Sequence, residues 1–396
     1  MLKRLEQLSK NTIAFGITSF LVDVSSEMIT PIMPLFLLNV LKANALIIGF
    51  IEGLSEFIVS IFGAISGYLS DRIGKRKKIT TIGYLISSLI KGLFAFATNW
   101  QQILYMKGLE RVGKGIREVP RDALILYSEK KTDLGKAFGF RKMMDNAGAI
   151  IGAILATSLM VYLLQQFNEE SAYRIIFLIA VIPALIGTVI IALFVKDVGD
   201  KNNKKNIISG IFENKTYTHM LVLGMLFALA QFGIAFFILR AHEITNSALF
   251  ALFGYLVYTI TYTISALPAG VLTDRFGGKK ILMLTYALFA LTNIGLAFAN
   301  DLLFIMSFGV FGIVMAILET TPRAFIAKIV NKHNYGTAIG IYHGAIGIFI
   351  LPANIIAGLL WDVDVAGIHA AFIFSFIFSL LAVLFMVILI NEERAR

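Results

Sequence analysis

The sequence predicts an all-α integral membrane protein built from two equivalent halves, and three observations indicate this fold class. Hydrophobic residues make up 58% of the 396 residues and charged residues only 15%, with a mean hydropathy of +0.80. Apolar runs of about twenty residues, the length that a helix needs to cross a bilayer, recur along the chain. A polar turn between two such runs is repeated about half a chain later, as an internal repeat requires.

The apolar runs predict about twelve transmembrane helices. Their continuity excludes a β-barrel, whose strands need alternating segments of roughly ten residues. The first run carries Asp23 and Glu27 and is not followed by a small-x-small cleavage site, so we expect it to be retained. In chain order the predicted spans are 12–38, 45–69, 79–97, 102–123, 136–164, 172–195, 219–240, 247–271, 279–299, 302–324, 335–360 and 368–390.

Lysine and arginine fall mostly on one side of these spans, and the opposite side has only Lys42, Arg174 and Arg240. The positive-inside rule therefore predicts a multi-pass protein of the cell membrane with both termini in the cytoplasm. The net charge of +10 reflects this topology and an attraction to anionic membrane lipids, rather than nucleic-acid binding. The chain has no cysteine, which excludes disulfides and thiolate metal sites.

The repeated turn has the order glycine, Asp-Arg, glycine and then basic residues. Its first copy is Gly67, Asp71, Arg72, Gly74, Lys75 and Arg76, and its second is Gly270, Asp274, Arg275 and Gly277. The Pro-Arg pair at 120–121 ends the fourth span as the pair at 322–323 ends the tenth. The longest polar stretch begins at residue 196, at the middle of the chain. We therefore predict an N-terminal half over 1–195, a cytoplasmic linker over 196–218 and a C-terminal half over 219–396.

These motifs resemble those of the major facilitator superfamily of secondary transporters, whose loop signature is Gly-x-x-x-Asp-Arg-x-Gly-Arg-Lys. Arg111 and Gly115 fit the fourth-span pattern of that family, Arg-x-x-x-Gly. The resemblance implies twelve transmembrane helices in two pseudo-symmetric six-helix bundles, alternating access, and no ATP hydrolysis. Drug antiporters of the family usually carry a Gly-Pro pair in the fifth span, where this chain has Gly148 and Gly152 without the proline. That departure makes drug efflux a less favoured function.

The repeated turns predict a cytoplasmic gate, because an aspartate near a helix end can pair with an arginine and glycines let helices approach closely. The alternative is that the basic residues only set the topology. The predicted gate consists of Gly67, Asp71, Arg72, Gly74, Arg76, Arg121, Gly270, Asp274, Arg275 and Gly277.

The fourth span is the most charged. Eight ionisable side chains fall within an arc of about 140° on a helical wheel, opposite an apolar side that includes Leu109, Val119 and Leu124. Because an arginine facing lipid costs about 2.5 to 3.5 kcal/mol at the bilayer centre, we expect the charged face to point into the bundle. The eight residues are Lys107, Glu110, Arg111, Lys114, Arg117, Glu118, Arg121 and Asp122.

Acids on neighbouring spans can balance these cations, and Lys91 stands alone in the third span. The predicted substrate-binding residues are Arg111, Lys114, Arg117 and Asp23. The predicted proton-coupling residues are Asp23, Glu27, Glu56 and Asp145, since a carboxylate that moves between apolar and cationic surroundings can load and release a proton. The alternative is that the network only holds the first bundle together.

The sequence thus predicts a secondary active transporter for a small charged solute, anionic or zwitterionic, coupled to protons. Its expected partners are the solute, the coupling proton and membrane lipids, and we expect a monomer without cofactor or resident metal. The alternatives are drug or toxic-compound efflux, divalent-metal transport by Asp23, Glu27, Glu52 and Glu56, and a membrane sensor. An intramembrane enzyme would need a pair of nucleophile and base or a histidine-rich metal motif. The sequence has neither, so we do not expect an enzyme.

Overall fold

The computed structural model describes residues 8–73, 75–130, 133–198, 212, 214–330, 335–363 and 367–389, and the regular elements in these ranges are helical. The long helices of the first half are α1 (Lys10–Ile29), α2 (Ala45–Ile73), α3 (Arg76–Leu93), α4 (Trp100–Ser128), α5 (Leu134–Leu163) and α6 (Glu169–Phe194). Those of the second half are α7 (Lys215–Ala228), α8 (Ile234–Thr245), α9 (Ala248–Phe276), α10 (Gly278–Ala297), α11 (Asp301–Ile329), α12 (Tyr335–Trp361) and α13 (Gly367–Leu389).

Ten helical segments in the described ranges are long and apolar enough to cross a membrane. This confirms the all-α, multi-pass part of the prediction. Two predicted spans are not among the ten. One is the charged α4, and the other is the span predicted over 219–240, which the structure divides between α7 and α8. The number of twelve spans and their arrangement in two bundles stay predictions.

The break between α7 and α8 is stabilised by side chains from other helices. The Gly233 N–H donates to Asn354 Oδ1 of α12 at 2.7 Å, and the Ser375 hydroxyl of α13 donates to the Ala230 carbonyl at 2.7 Å. Backbone groups that leave a helix inside a membrane must find such partners. The predicted single span is therefore interrupted where polar residues of two later helices replace intrahelical hydrogen bonds.

The first predicted span is also irregular near its C-terminal end. α1 ends at Ile29, just before Pro31, and a three-residue helix, Met33–Leu35, is followed by a π-helical segment, Phe36–Val40. Proline removes a backbone donor and crowds the preceding turn, which explains the interruption.

The chain divides into two compact units. One comprises Met1–Lys42 and Ile58–Lys204, and the other comprises Ala43–Phe57 and Lys205–Arg396. The first half of α2 therefore belongs to the second unit. The predicted boundaries at 195 and 218 stay predictions.

In the first unit, glycines bring α1 and α5 into backbone contact. A Cβ atom added at Gly148 would lie 2.4 Å from the Phe20 carbonyl oxygen, and one at Gly152 would lie 2.6 Å from that of Val24. Small residues at such contacts are typical of helix packing in membranes. α3 packs against α4 and α6 in the same unit.

In the second unit, α9 packs against α11, and α10 packs against α11 and α13. The first half of α2 lies on α12, since a Cβ atom at Gly49 would be 2.3 Å from the Asn354 carbonyl oxygen. The Asp362 carboxylate accepts hydrogen bonds from the N–H groups of Ala45 and Leu46 at 3.1 and 3.0 Å. An acid is favourable there because the N-terminus of a helix has unpaired donors and a partial positive charge.

Candidate functional site

The charged face of α4 points into the first unit, as the sequence predicts. Its apolar side is exposed at Leu109 (52%) and Val119 (43%). Leu124 differs from the prediction, because it is fully buried in an apolar cluster with Phe15 and Ile125. The buried ionisable side chains of α4 are Lys107, Glu110, Arg117 and Arg121.

Two glycines set the depth of α4 between its neighbours. A Cβ atom at Gly113 would lie 2.8 Å from the Gly83 carbonyl oxygen of α3, and one at Gly115 would lie 2.8 Å from Phe62 Cβ of α2. Because the two glycines are two residues apart, they face nearly opposite sides of the helix. α4 is thus held between α2 and α3, and larger residues would push its charged side chains out of position.

Asp23 of α1 is the point at which charged groups of three helices converge. It lies beside Gly148 of α5, where an added Cβ atom would be 3.1 Å from Asp23 Cβ. Four ionisable groups from α1, α4 and α5 act on it electrostatically: Asp145, Glu27, Lys114 and Lys142. The structure therefore brings four of the predicted site residues together, namely Asp23, Glu27, Lys114 and Asp145.

A chain of ion pairs joins α4 to α5. Arg121 Nε donates to Asp122 Oδ1 at 2.9 Å, and Arg141 Nε lies 4.0 Å from the same oxygen. Arg141 Nη1 also donates to Asp145 Oδ2 at 2.8 Å. Arg121, a residue of the predicted gate, therefore pairs with its own neighbour in the chain.

Arg117 is directed toward α3. Its Nη1 donates to the Ser87 hydroxyl, and its guanidinium carbon lies 4.3 Å from the centroid of the Tyr84 ring. A cation in this position over an aromatic face is attracted by the ring quadrupole. Arg111, by contrast, has its Nε 3.4 Å from Glu110 Oε2 within α4. Substrate contact by either arginine stays a prediction.

Lys91 of α3 is a buried residue whose partners on α1 are not predicted by the sequence. The side chain is 2% exposed, and its Nζ donates to the hydroxyls of Ser25 at 3.1 Å and Ser26 at 2.8 Å, both on α1. It also lies within electrostatic range of Glu110, Arg117, Asp23 and Arg111. The available signal was the cost of a lysine in an otherwise apolar span, which requires polar partners.

The predicted proton-coupling residues are divided between the two units. Glu56 belongs to the segment Ala43–Phe57 of the second unit, whereas Asp23, Glu27 and Asp145 belong to the first. Within the described residues, no group of three or more histidine, aspartate or glutamate side chains is arranged to hold a metal ion. The divalent-metal alternative therefore gains no geometric support from this part of the chain.

The first copy of the predicted gate is partly described. A Cβ atom at Gly67 would lie 2.9 Å from Val119 Cγ1, so this glycine permits α2 to approach α4. Arg76 is fully buried, with its guanidinium carbon 4.7 Å from the centroid of the Tyr127 ring. The side chains of Asp71 and Arg72, and all of Gly74, lie outside the described residues.

The second copy has a different arrangement. Asp274, at the end of α9, pairs with Lys328 of α11 at 3.1 Å. Gly277 has a φ of 87°, a left-handed conformation that favours glycine and ends α9. A Cβ atom at Gly270 would meet nothing within 4 Å, so the expected close helix approach is absent at this residue. Arg275 lies over the neighbouring Phe276 ring, 5.2 Å from its centroid.

The multi-pass helical fold defines the class of protein as an integral membrane protein, and an ionisable network such as that of the first unit is typical of membrane proteins that move solutes or protons. The family model of the Major Facilitator Superfamily matches residues 15–256 and 220–396. The chain therefore belongs to this superfamily.

Individual relatives agree with the assignment. The "Uncharacterized MFS-type transporter MJ1317" of Methanocaldococcus jannaschii is 36% identical over 369 residues, which are 90% of this chain and 90% of that protein. A crystal structure of a mutant of the nucleoside transporter NupG has a TM-score of 0.82 at 14% identity, covering 96% of this chain and all of that one. A D-xylose-proton symporter has a TM-score of 0.79 at 15% identity, covering 98% and 99%. At these identities the two solved structures establish the fold alone.

Proposed function

We propose that this protein is a secondary active transporter that moves a small anionic or zwitterionic solute across the cell membrane by alternating access, coupled to protons. The observation that carries the proposal is the convergence of Asp23, Glu27 and Asp145 with Lys114 and Lys142 among the helices of the first unit. Ionisable groups are expensive inside a membrane and usually mark a transport path or a proton relay.

In the proposed mechanism, Lys114 and Arg111 attract the charged group of the solute, with Arg117 behind them on the same face of α4. Asp23 would contact a cationic group of a zwitterion when ionised and carry the coupling proton when neutral. Glu27, Glu56 and Asp145 are the other proposed proton carriers. A change in the distance between these acids and the neighbouring cations would alter their proton affinity, which couples the proton to the motion.

The proposed architecture is twelve spans in two pseudo-symmetric six-helix bundles, with residues 1–195 and 219–396 joined by a linker over 196–218. Two such halves can rock about a site between them, as internal repeats permit. Both termini and both repeated turns are proposed to face the cytoplasm, where the turns form the gate. The monomer is the proposed functional unit.

The test is transport by the purified full-length chain in liposomes. A panel of amino acids, monocarboxylates, dicarboxylates and phosphate esters is presented with and without a pH gradient. We expect at least one solute to enter faster with the gradient and to lose this advantage when a protonophore is added. Equal flux with and without the gradient would contradict proton coupling, and no flux of any panel member would contradict charged-solute transport.

Asp23→Asn separates coupling from binding in the same assay when the solute is a simple anion, which has no cationic group for Asp23 to contact. This variant is expected to retain exchange of labelled for unlabelled solute but to lose acceleration by the pH gradient, because the amide cannot carry the proton. Acceleration as large as in the wild type would exclude Asp23 as an indispensable proton carrier.

A further inference from the structure

Lys91 occupies a buried site in the first unit and is not one of the predicted substrate-binding or proton-coupling residues. It is 2% exposed, near the end of α3, and its side chain crosses to α1, where its Nζ is hydrogen-bonded to Ser25 and Ser26. In the described part of the chain, no carboxylate oxygen forms an ion pair with this Nζ. A buried lysine is ordinarily charged only when such a partner compensates the loss of hydration.

The Ser25 hydroxyl is compatible with both protonation states of the amine. A serine hydroxyl accepts a hydrogen bond from an ammonium group, and it can also rotate and donate its proton to the lone pair of a neutral amine. A carboxylate could only accept, and it would hold the lysine in its charged form. The Ser26 hydroxyl already donates to the Val22 carbonyl at 2.9 Å, so Ser25 is the partner that can accept from the ammonium form and donate to the amine. Ser25 therefore permits Lys91 to gain and lose a proton while one hydrogen bond to α1 is kept.

The charged groups around Lys91 also fail to fix its protonation state. The groups within electrostatic range of Lys91 are Asp23 of α1 and Glu110, Arg111 and Arg117 of α4, which are two acids and two cations. α6 also packs against α3. Its Arg174 donates hydrogen bonds to the carbonyls of Ala95 and Ala97, which lie beyond the C-terminal end of α3. When both acids are ionised, the charges of these two acids and two cations sum to zero. A protonated Lys91 then adds one positive charge to an otherwise neutral cluster.

Two local effects act on that charge in opposite senses. Burial disfavours the ammonium form, because the apolar surroundings do not solvate it. The position in the last turn of α3 favours the ammonium form, because the carbonyl end of a helix carries a partial negative charge. A group under such opposed influences changes its protonation state when its surroundings change.

We propose that Lys91 is a proton-binding residue of this transporter, loaded and unloaded between its two serine partners on α1. The inference rests on the proposed proton-coupled function, which it extends from the carboxylates to an amine. When Lys91 is protonated, the cluster has the excess positive charge that an anionic solute would offset. The loading of the proton and the binding of the anion would then favour each other.

The test compares the pH dependence of thermal unfolding of the detergent-purified wild type and Lys91→Arg between pH 6 and 9. A lysine that is neutral in the folded protein but charged in the unfolded chain makes the unfolded state bind one more proton, so stability rises with pH. As the pH rises, the unfolding equilibrium constant of the wild type should therefore decrease by up to tenfold per pH unit relative to that of Lys91→Arg. The variant lacks this dependence because arginine stays charged in both the folded and the unfolded state. Parallel curves would overturn the proposal.

Lys107→Arg is the matched control. Lys107 is also buried in the first unit, and its replacement is expected to give a curve parallel to the wild type. A divergence equal to that of Lys91→Arg would show a general effect of replacing buried lysines and would also overturn the proposal.

A second measurement does not depend on how well Lys91→Arg folds. In the wild type labelled with ¹⁵N-lysine, the Nζ resonance that is lost in a Lys91 variant should move between its ammonium and amine positions over the same pH range. A resonance that stays at the ammonium position through pH 9 would contradict the proposal. Neither measurement involves solute flux, so failure here is distinguishable from failure of the transport assay.

Discussion

Asp23 and Lys91 show how single charged residues are accommodated in the first unit. Asp23 has charged neighbours of both signs on α4 and α5, whereas Lys91 has hydroxyl groups as its direct partners. A carboxylate among charges responds to small movements of its neighbours, while an amine between hydroxyls has no fixed counter-ion. The two residues can therefore respond to the same movement of α1 in different ways.

Lys114→Gln tests solute recognition at the residue scale. If Lys114 contacts the anionic group of the solute, its loss should weaken binding at least tenfold, about 1.4 kcal/mol, because a charge-assisted hydrogen bond is removed. The measurement is the ligand-induced increase in melting temperature, with the solute that the liposome panel identifies.

Lys136→Gln is the control for that variant. Lys136 forms an exposed pair with Asp133 at 2.7 Å, outside the predicted site, and its replacement should leave binding unchanged. If Lys114→Gln lowers the melting temperature of the free protein but binds the solute normally, Lys114 has a structural role.

At the scale of helices, the contact between α1 and α5 depends on the absence of a side chain. Gly148→Ala would place a methyl group 2.4 Å from the Phe20 carbonyl oxygen, and overpacking of this kind costs about 1 to 3 kcal/mol. We expect a lower melting temperature in detergent, together with slower transport, because Asp23 lies at the same contact.

Gly135→Ala provides a control within the same helix. A Cβ atom at Gly135 meets nothing within 4 Å, so its melting temperature should be unchanged or slightly higher, since alanine favours a helix more than glycine does. Equal destabilisation by both substitutions would exclude close packing as the cause.

The break between α7 and α8 makes a second prediction at this scale. Asn354→Leu removes the acceptor for the Gly233 N–H, and an unpaired buried donor costs about 1 to 3 kcal/mol. The melting temperature should fall accordingly. Asn293→Leu is the control, since Asn293 is equally buried but donates to the Phe289 carbonyl of its own helix. A similar decrease in both variants would argue against a special role for Asn354.

The helices differ in how far their structure followed from local sequence. The charged face of α4 was predictable because helical periodicity and the cost of exposing charge to lipid are both local properties. The break at 229–233 was not, because Asn354 and Ser375 stabilise it from more than a hundred residues away. The partners of Lys91 likewise depend on which face of α1 meets α3. Gly270 repeats the motif position of Gly67 but not its close contact, so a sequence repeat does not guarantee the same packing.

At the scale of the whole molecule, the absence of cysteine permits a direct test of topology. Gln101→Cys and Asp301→Cys, at exposed positions in the first turns of α4 and α11, should react with a membrane-impermeant thiol reagent in intact cells. Lys130→Cys, exposed beyond the other end of α4, should react only after lysis. The opposite pattern would contradict the predicted orientation. The unmodified chain, which has no cysteine, is the negative control.

The course of α2 bears on how the protein can be assembled from parts. Its residues 45–57 belong to the second unit, and the rest of the helix belongs to the first. We expect two separately synthesised pieces, divided in the predicted linker, to be unstable. The C-terminal piece would lack the part of α2 that covers Asn354, and the N-terminal piece would expose that part of α2. We therefore expect the predicted linker to mark a boundary in the sequence but not between independently folding parts, and the two pieces to be stable only when they are made together.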